Sequence, residues 1–176
     1  MEWSLYAMSV ETFIHMLQNL SQLLDKAGER AKAKGFDAAI LVQARLAPDM
    51  FPLSRQIQIA TDHAKGAAAR LRGQEPPVYE DKEQTLDELK ARIGRTLAYL
   101  QGAKPAEFKG AEQRDIRMTL REGMVLEMRG AQFLRDWSLP HFYFHVVTAY
   151  DILRHNGVEI GKRDFVGHVA SFIRQT

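Results

Sequence analysis

Cysteine is absent from all 176 residues. Its absence excludes a disulfide scaffold, a thiolate zinc site, an iron–sulfur cluster and a cysteine nucleophile. An excess of one charge is also missing, with 24 Lys and Arg against 22 Asp and Glu. The resulting net charge of +2 is too small to mark a nucleic-acid binder by bulk electrostatics. Long hydrophobic runs are lacking too. The most apolar stretch, Phe142 to Tyr150, is broken by His145 and Thr148, far short of the roughly 18 uncharged residues a spanning helix needs. No basic-then-apolar leader opens the chain, and no internal repeat runs through it. The expectation is a cytoplasmic protein with neither membrane nor nucleic-acid partners.

What is present suits one globular domain covering residues 1–176, since 45% of residues are hydrophobic and 26% charged. A chain of this size buries roughly 70% of its unfolded surface and needs no staple. From Ser9 to about Lys34, Val10, Phe13, Ile14, Leu17, Leu20, Leu23, Leu24 and Ala27 recur at steps of three and four, predicting a helix with one face on the core. Ser9 is its expected N-cap and Gly35 its stop. Residues 37–50 allow a short helix or a turn before Pro48 and Pro52 break the chain. Pro52 to Arg72 reads as a second, alanine-rich helix ended by Gly73. Thr85, with Glu88 three residues on, caps a third helix whose stripe is Leu86, Leu89, Ile93, Leu97 and Leu100.

Between Arg114 and Arg129 the period changes to two. Ile116, Met118 and Leu120 alternate with polar residues, as do Met124, Leu126 and Met128, around Arg121-Glu122-Gly123. That pattern predicts a β-hairpin packed on the helices. A fourth helix spans about Ala131 to His155, kinked or split by Pro140 near Leu139 and stopped at Asn156-Gly157. Lys162 to Arg174 is a candidate short C-terminal helix. The sum is an all-α four-helix bundle with a small β-hairpin inserted before the last bundle helix.

His141 and His145 are the most informative local feature. Four residues apart on a helix, they share a face, so both imidazoles can reach one metal ion. His63 on the second helix is the natural third ligand, at the edge of the apolar stripe. Gln56, seven residues earlier, could be a weak ligand or a supporting contact. The same residues also read as hydrogen-bonded core or pocket histidines, because the pair lacks the Glu of a zincin HExxH motif. His155 suits a helix C-terminus, whereas His15 and His168 have no evident partner in the sequence. Gly157 to Lys162 is one residue too short for a P-loop and lacks its Ser or Thr. Lys26 to Lys34 reads as a solvated helix end, and Arg45 with Asp49 as a loop staple.

Ala44 to Leu53, Ala60 to Ala67, Phe142 to His145, Leu153 to Gly157 and Gly161 to Phe165 resemble blocks of a bacterial domain-of-unknown-function family. That family is grouped with the DinB-like (YfiT-like) proteins, and the resemblance spans nearly the whole chain. It implies a four-helix bundle of that type, commonly homodimeric. It also implies three histidines holding a divalent metal, such as zinc or nickel, as in superfamily relatives that include thiol-dependent transferases and isomerases. The superfamily's His-x-x-x-His pair falls on His141 and His145. Its first ligand falls near Gln56 to Ile59, where no histidine stands, and His63 comes at least four residues later.

Two expectations follow. One is a metal-dependent small-molecule enzyme, with the ion on His63, His141 and His145 and a thiol supplied by a cosubstrate. The other is a non-catalytic homodimeric bundle that binds a small ligand or partner. Its binding surface would be the alanine-rich second helix or the Phe142–Phe144 region, with His141 and His145 hydrogen-bonded in the core.

Overall fold

Ser4 opens the first helix, its Oγ accepting the Ala7 N–H at 3.1 Å. The computed structural model describes residues 3–121 and 123–174, and helical backbone begins at Leu5. A π-helical turn, Ala7–Glu11, leads into α1, Thr12–Lys34. Ser9 is therefore inside the helix rather than at its cap, and its hydroxyl donates to the Leu5 carbonyl. The start lies a turn earlier than the sequence suggests because Ser4 supplies a cap and Leu5 and Tyr6 add apolar surface that packs on the core. Phe13, Leu17, Leu20 and Leu24 are buried along the inner face, each worth roughly 1.5–3 kcal/mol relative to exposure. Gly35 ends α1 at φ +70°, a backbone region that penalises any Cβ.

The short helix α2, Ala39–Gln43, leads into a loop closed by Arg45. Its guanidinium donates to the Met50 carbonyl at 3.2 Å and the Pro48 carbonyl at 3.5 Å. The expected pairing with Asp49 does not form, because the turn from Ala47 to Met50 presents carbonyls to Arg45 instead. Helix α3, Leu53–Leu71, follows Pro52, with Gln56 to Ile59 helical despite their alternation. Helix α4, Leu86–Gln101, begins with the predicted capping box: Thr85 Oγ1 accepts the Glu88 N–H at 3.2 Å, and the Glu88 carboxylate accepts the Thr85 N–H at 3.0 Å.

Two short 3₁₀ turns, Pro105–Phe108 and Ala111–Gln113, lead to the hairpin β1, Asp115–Thr119, and β2, Val125–Arg129. The strands are antiparallel, with Ile116 opposite Met128 and Met118 opposite Leu126. These four side chains form the face that packs on the helices. On the other face Arg117 meets Glu127 at 3.4 Å. Glu122, in the expected link between the strands, lies outside the described residues. Gly130 then opens α5, Gly130–Gln132, at a point of close backbone approach: a Cβ there would lie 1.9 Å from the Ala111 carbonyl oxygen.

A π-helical stretch, Phe133–Ser138, joins α5 to α6, Leu139–His155. Pro140 thus lies inside one continuous helical run from Gly130 to His155, and the turn ahead of it widens to the π form rather than breaking. The chain ends its described part with α7, Lys162–Phe165, and a 3₁₀ segment, Gly167–Phe172, in place of one short helix. Helices α1, α3, α4 and α6 form the bundle, and α3 and α6 make its most extensive helix pairing. Ala60, Ala64, Ala67 and Ala68 are consumed in that core, so the alanine-rich face is not free to bind a partner. Among the described residues no helix is long and apolar enough to cross a membrane.

The largest fully buried side chain is that of Arg92. Its Nε donates to Thr61 Oγ1 at 2.7 Å and its Nη2 to Asp62 at 2.8 Å. Its Nη1 donates to Glu83 and to the Glu80 carbonyl, both at 3.1 Å, and lies 3.0 Å from Asp81. The network pins residues 80–83 of the α3–α4 connection onto both helices. Removing one member of such a buried set leaves desolvated charge behind. An Arg92→Met protein should lose about 3–5 kcal/mol in urea denaturation; a loss too small to measure would show that the network holds nothing together.

Candidate functional site

Four positions of α3 place the site. Gln56, Ala60, His63 and Ala67 follow at steps of four, three and four, a single helix face. Contacts of Gln56 and His63 with α6 show that this face meets α6. The helical spacing of His141 and His145 sets both rings towards α3. His63 stacks on His141 with centroids 4.9 Å apart and planes 20° from parallel, and on His145 at 6.1 Å and 18°. Trp137 lies 4.2 Å beyond His141. The three histidines expected from the sequence are thus brought together, with Gln56 as the supporting contact.

Hydrogen bonding fixes two of the three tautomers. Gln56 Nε2 donates to the Phe51 carbonyl at 3.0 Å, which turns its Oε1 towards α6. An amide oxygen can only accept, so His145 Nδ1, 2.7 Å away, carries the proton. His141 Nδ1 donates likewise to the Trp137 carbonyl at 2.7 Å. In the neutral form of each ring, Nε2 is then the unprotonated nitrogen. Burial holds His145 neutral and pushes its pKa down to about 4, aided by the charges of His141 and Arg55. Burial does the same to His63, lowering it to about 3, with His141, His145 and Arg70 adding repulsion.

Those features match the donor chemistry of a histidine metal centre, in which the non-ligating nitrogen donates to a carbonyl or carboxylate. The ring orientations do not yet match. Among the described residues no group of three His, Cys, Asp or Glu side chains is arranged to hold an ion. Stacked rings present faces to one another rather than lone pairs, so His63 must turn before three nitrogens can meet.

His63 and Trp137 line a cleft of about 320 Å³ that opens between α3, the hairpin and the π-helical stretch. Arg55, Asp62, Arg70, Met118 and Phe133 complete much of its wall. His141 and His145 do not line it.

Other polar features escaped the sequence. Arg92 carries no motif that distinguishes a buried arginine from an exposed one. His15 and His168, without evident partners in the sequence, stack at 5.1 Å and 8°, and Asn19 Nδ2 lies 2.8 Å from His168 Nδ1. Their 153-residue separation leaves no local signal. The basic end of α1 is solvated, as expected, and it also pairs with the C-terminal segment, Lys26 with Asp164 at 2.7 Å and Arg30 with Glu159 at 3.2 Å.

The lowered pKa values fix the sign of an acid effect. Below about pH 6.5 the unfolded chain protonates His63 and His145, whereas the folded chain resists until about pH 3 and pH 4. Their contribution to stability is therefore full above pH 6.5 and falls as pH drops through that window, by up to about 1.4 kcal/mol per pH unit for each histidine. In metal-free protein, His63→Asn and His145→Gln should each flatten the fall of melting temperature with acid. An unchanged slope in both would contradict the assignment.

Residues 5–166 match the model of a family described as "Domain of unknown function (DUF1993)". The crystal structure of a DinB family member protein from Shewanella denitrificans is similar, with a TM-score of 0.85 and 44% sequence identity over 93% of this chain and 92% of that one. No curated protein matches the chain. Family match and structural likeness agree: the chain belongs to the DUF1993 family, a family related to the DinB-like proteins.

Proposed function

We propose that this protein is a metal-dependent small-molecule enzyme in which His63, His141 and His145 hold a divalent ion such as zinc or nickel. The supporting observation is the pair of oriented tautomers. Gln56 Oε1 and the Trp137 carbonyl each accept a hydrogen bond from an Nδ1–H, so that in the neutral rings Nε2 is the nitrogen left to ligate. Burial keeps His63 and His145 unprotonated at neutral pH, as ligation requires. A bound divalent ion would lower the pKa of a water or thiol at an open position. The chain has no cysteine, so any thiol comes from a cosubstrate. The cleft beside His63 offers the approach, with Trp137 and Phe133 excluding water from one side.

The stacked ring geometry favours a second reading, a non-catalytic homodimeric bundle whose cleft binds a small ligand without metal. The two part on metal content. Tag-free protein purified without chelator should carry close to one zinc or nickel per chain by elemental analysis. His145→Ala should lose it while keeping its helical circular dichroism. No metal in the wild type after soaking, or equal content in the variant, would overturn the enzyme reading in favour of the second.

A further inference from the structure

The charges lining the cleft are unequally satisfied. Asp62 is shared between Lys65 at 3.1 Å and Arg92 at 2.8 Å. Arg55 pairs with Asp81, and Lys65 also donates to the Pro77 carbonyl at 2.7 Å. Arg70 differs. Its one hydrogen bond among the described residues goes from Nη1 to the Gly66 carbonyl of its own helix, at 3.3 Å. Glu75 attracts it only from beyond ion-pair distance. A half-buried guanidinium that lines the same cleft as Trp137, Met118 and Phe133 is short of one planar anion.

Gly66 is what lets the guanidinium lie there. Glycine inside a helix costs about 1 kcal/mol relative to alanine, and Gly66 has no left-handed φ to justify it. A Cβ at that position would stand 2.8 Å from Arg70 Nη1. The missing side chain leaves room for the guanidinium to fold back along α3, onto the cleft wall that also carries His63. Methylating this position would swing only the far end of a flexible side chain, so the fold would survive while the guanidinium moved.

We infer that the cleft binds a small carboxylate with an apolar body. The carboxylate sits on the Arg70 guanidinium, the apolar part lies against Trp137, Phe133 and Met118, and the far end is directed at His63. The inference rests on the proposed reading of the histidine cluster only for which end of the ligand reacts; recognition itself needs no metal.

The test uses metal-free full-length protein, phenylacetate as the probe and phenylacetamide as its neutral counterpart, followed by NMR titration of the Trp137 indole N–H. Phenylacetate should bind about tenfold or more tighter than the amide, the discrimination expected of a charge-assisted pair. Arg70→Gln should erase that preference, and Arg70→Lys, which keeps charge but loses the planar fork, should retain part of it. Gly66→Ala should weaken phenylacetate binding while leaving thermal stability equal or higher. That combination separates recognition from a structural role, and it stands even if Arg70→Gln fails to fold. Metal content should be unchanged in Gly66→Ala, so failure of the metal reading would leave this result intact. Equal affinity for the two probes, no binding of either at millimolar concentration, or a preference that survives in the Arg70 and Gly66 variants would overturn the inference.

Discussion

The close approach of α3 and α6 governs this structure. Ala60, Ala64 and Ala67 are buried on α3, whose most extensive helix pairing is with α6, and their small side chains suit a close approach. Gln56 and His63 are then carried within hydrogen-bonding and stacking range of His145 and His141. Larger side chains at these alanines would overpack the interface, which typically costs 1–3 kcal/mol, and would also separate the imidazoles. The alanine stripe that looked available for a partner is therefore spent inside the molecule, where it sets the geometry of the site.

A second constraint acts from the opposite side of α3. The Arg92 network draws residues of the α3–α4 connection onto Thr61 and Asp62, immediately before His63. Burying a guanidinium requires that its donors be met, and here carboxylates, a hydroxyl and a carbonyl meet them. The hairpin contributes Met118 to the cleft, and the widened turn ahead of Pro140 contributes Phe133 and Trp137. Cleft and histidine cluster are thus assembled from elements that pack for independent reasons.

Much of this was legible in the sequence because periodicity and capping act locally. The stripe from Phe13 to Leu24, the Thr85–Glu88 capping box and the alternation from Ile116 to Met128 each name an element without reference to the rest of the chain. His141 and His145 were legible as a pair for the same reason, since four residues make one turn. Ser9 misled because Ser4, closer to the chain start, also caps and the helical pattern does not record which serine wins. Gln56 was visible as a neighbour of the site, but only the Phe51 carbonyl reveals which way its amide points. The stacking of the rings, the burial of Arg92 and the His15–His168 pair arise from contacts between distant segments, and no spacing encodes them.

The central claim is that α3 presents Gln56 to His145 so that a neutral imidazole is held with its proton on Nδ1 and its Nε2 unprotonated. Long-range ¹⁵N–¹H NMR of the histidine side chains in metal-free protein tests it directly. The account predicts that His145 is protonated at Nδ1 and not Nε2, and that it stays neutral as the pH is lowered well below its ordinary value of 6.5. Replacing Gln56 by Leu should release that tautomer. An His145 that carries its proton on Nε2, or that titrates near pH 6.5, would contradict the account.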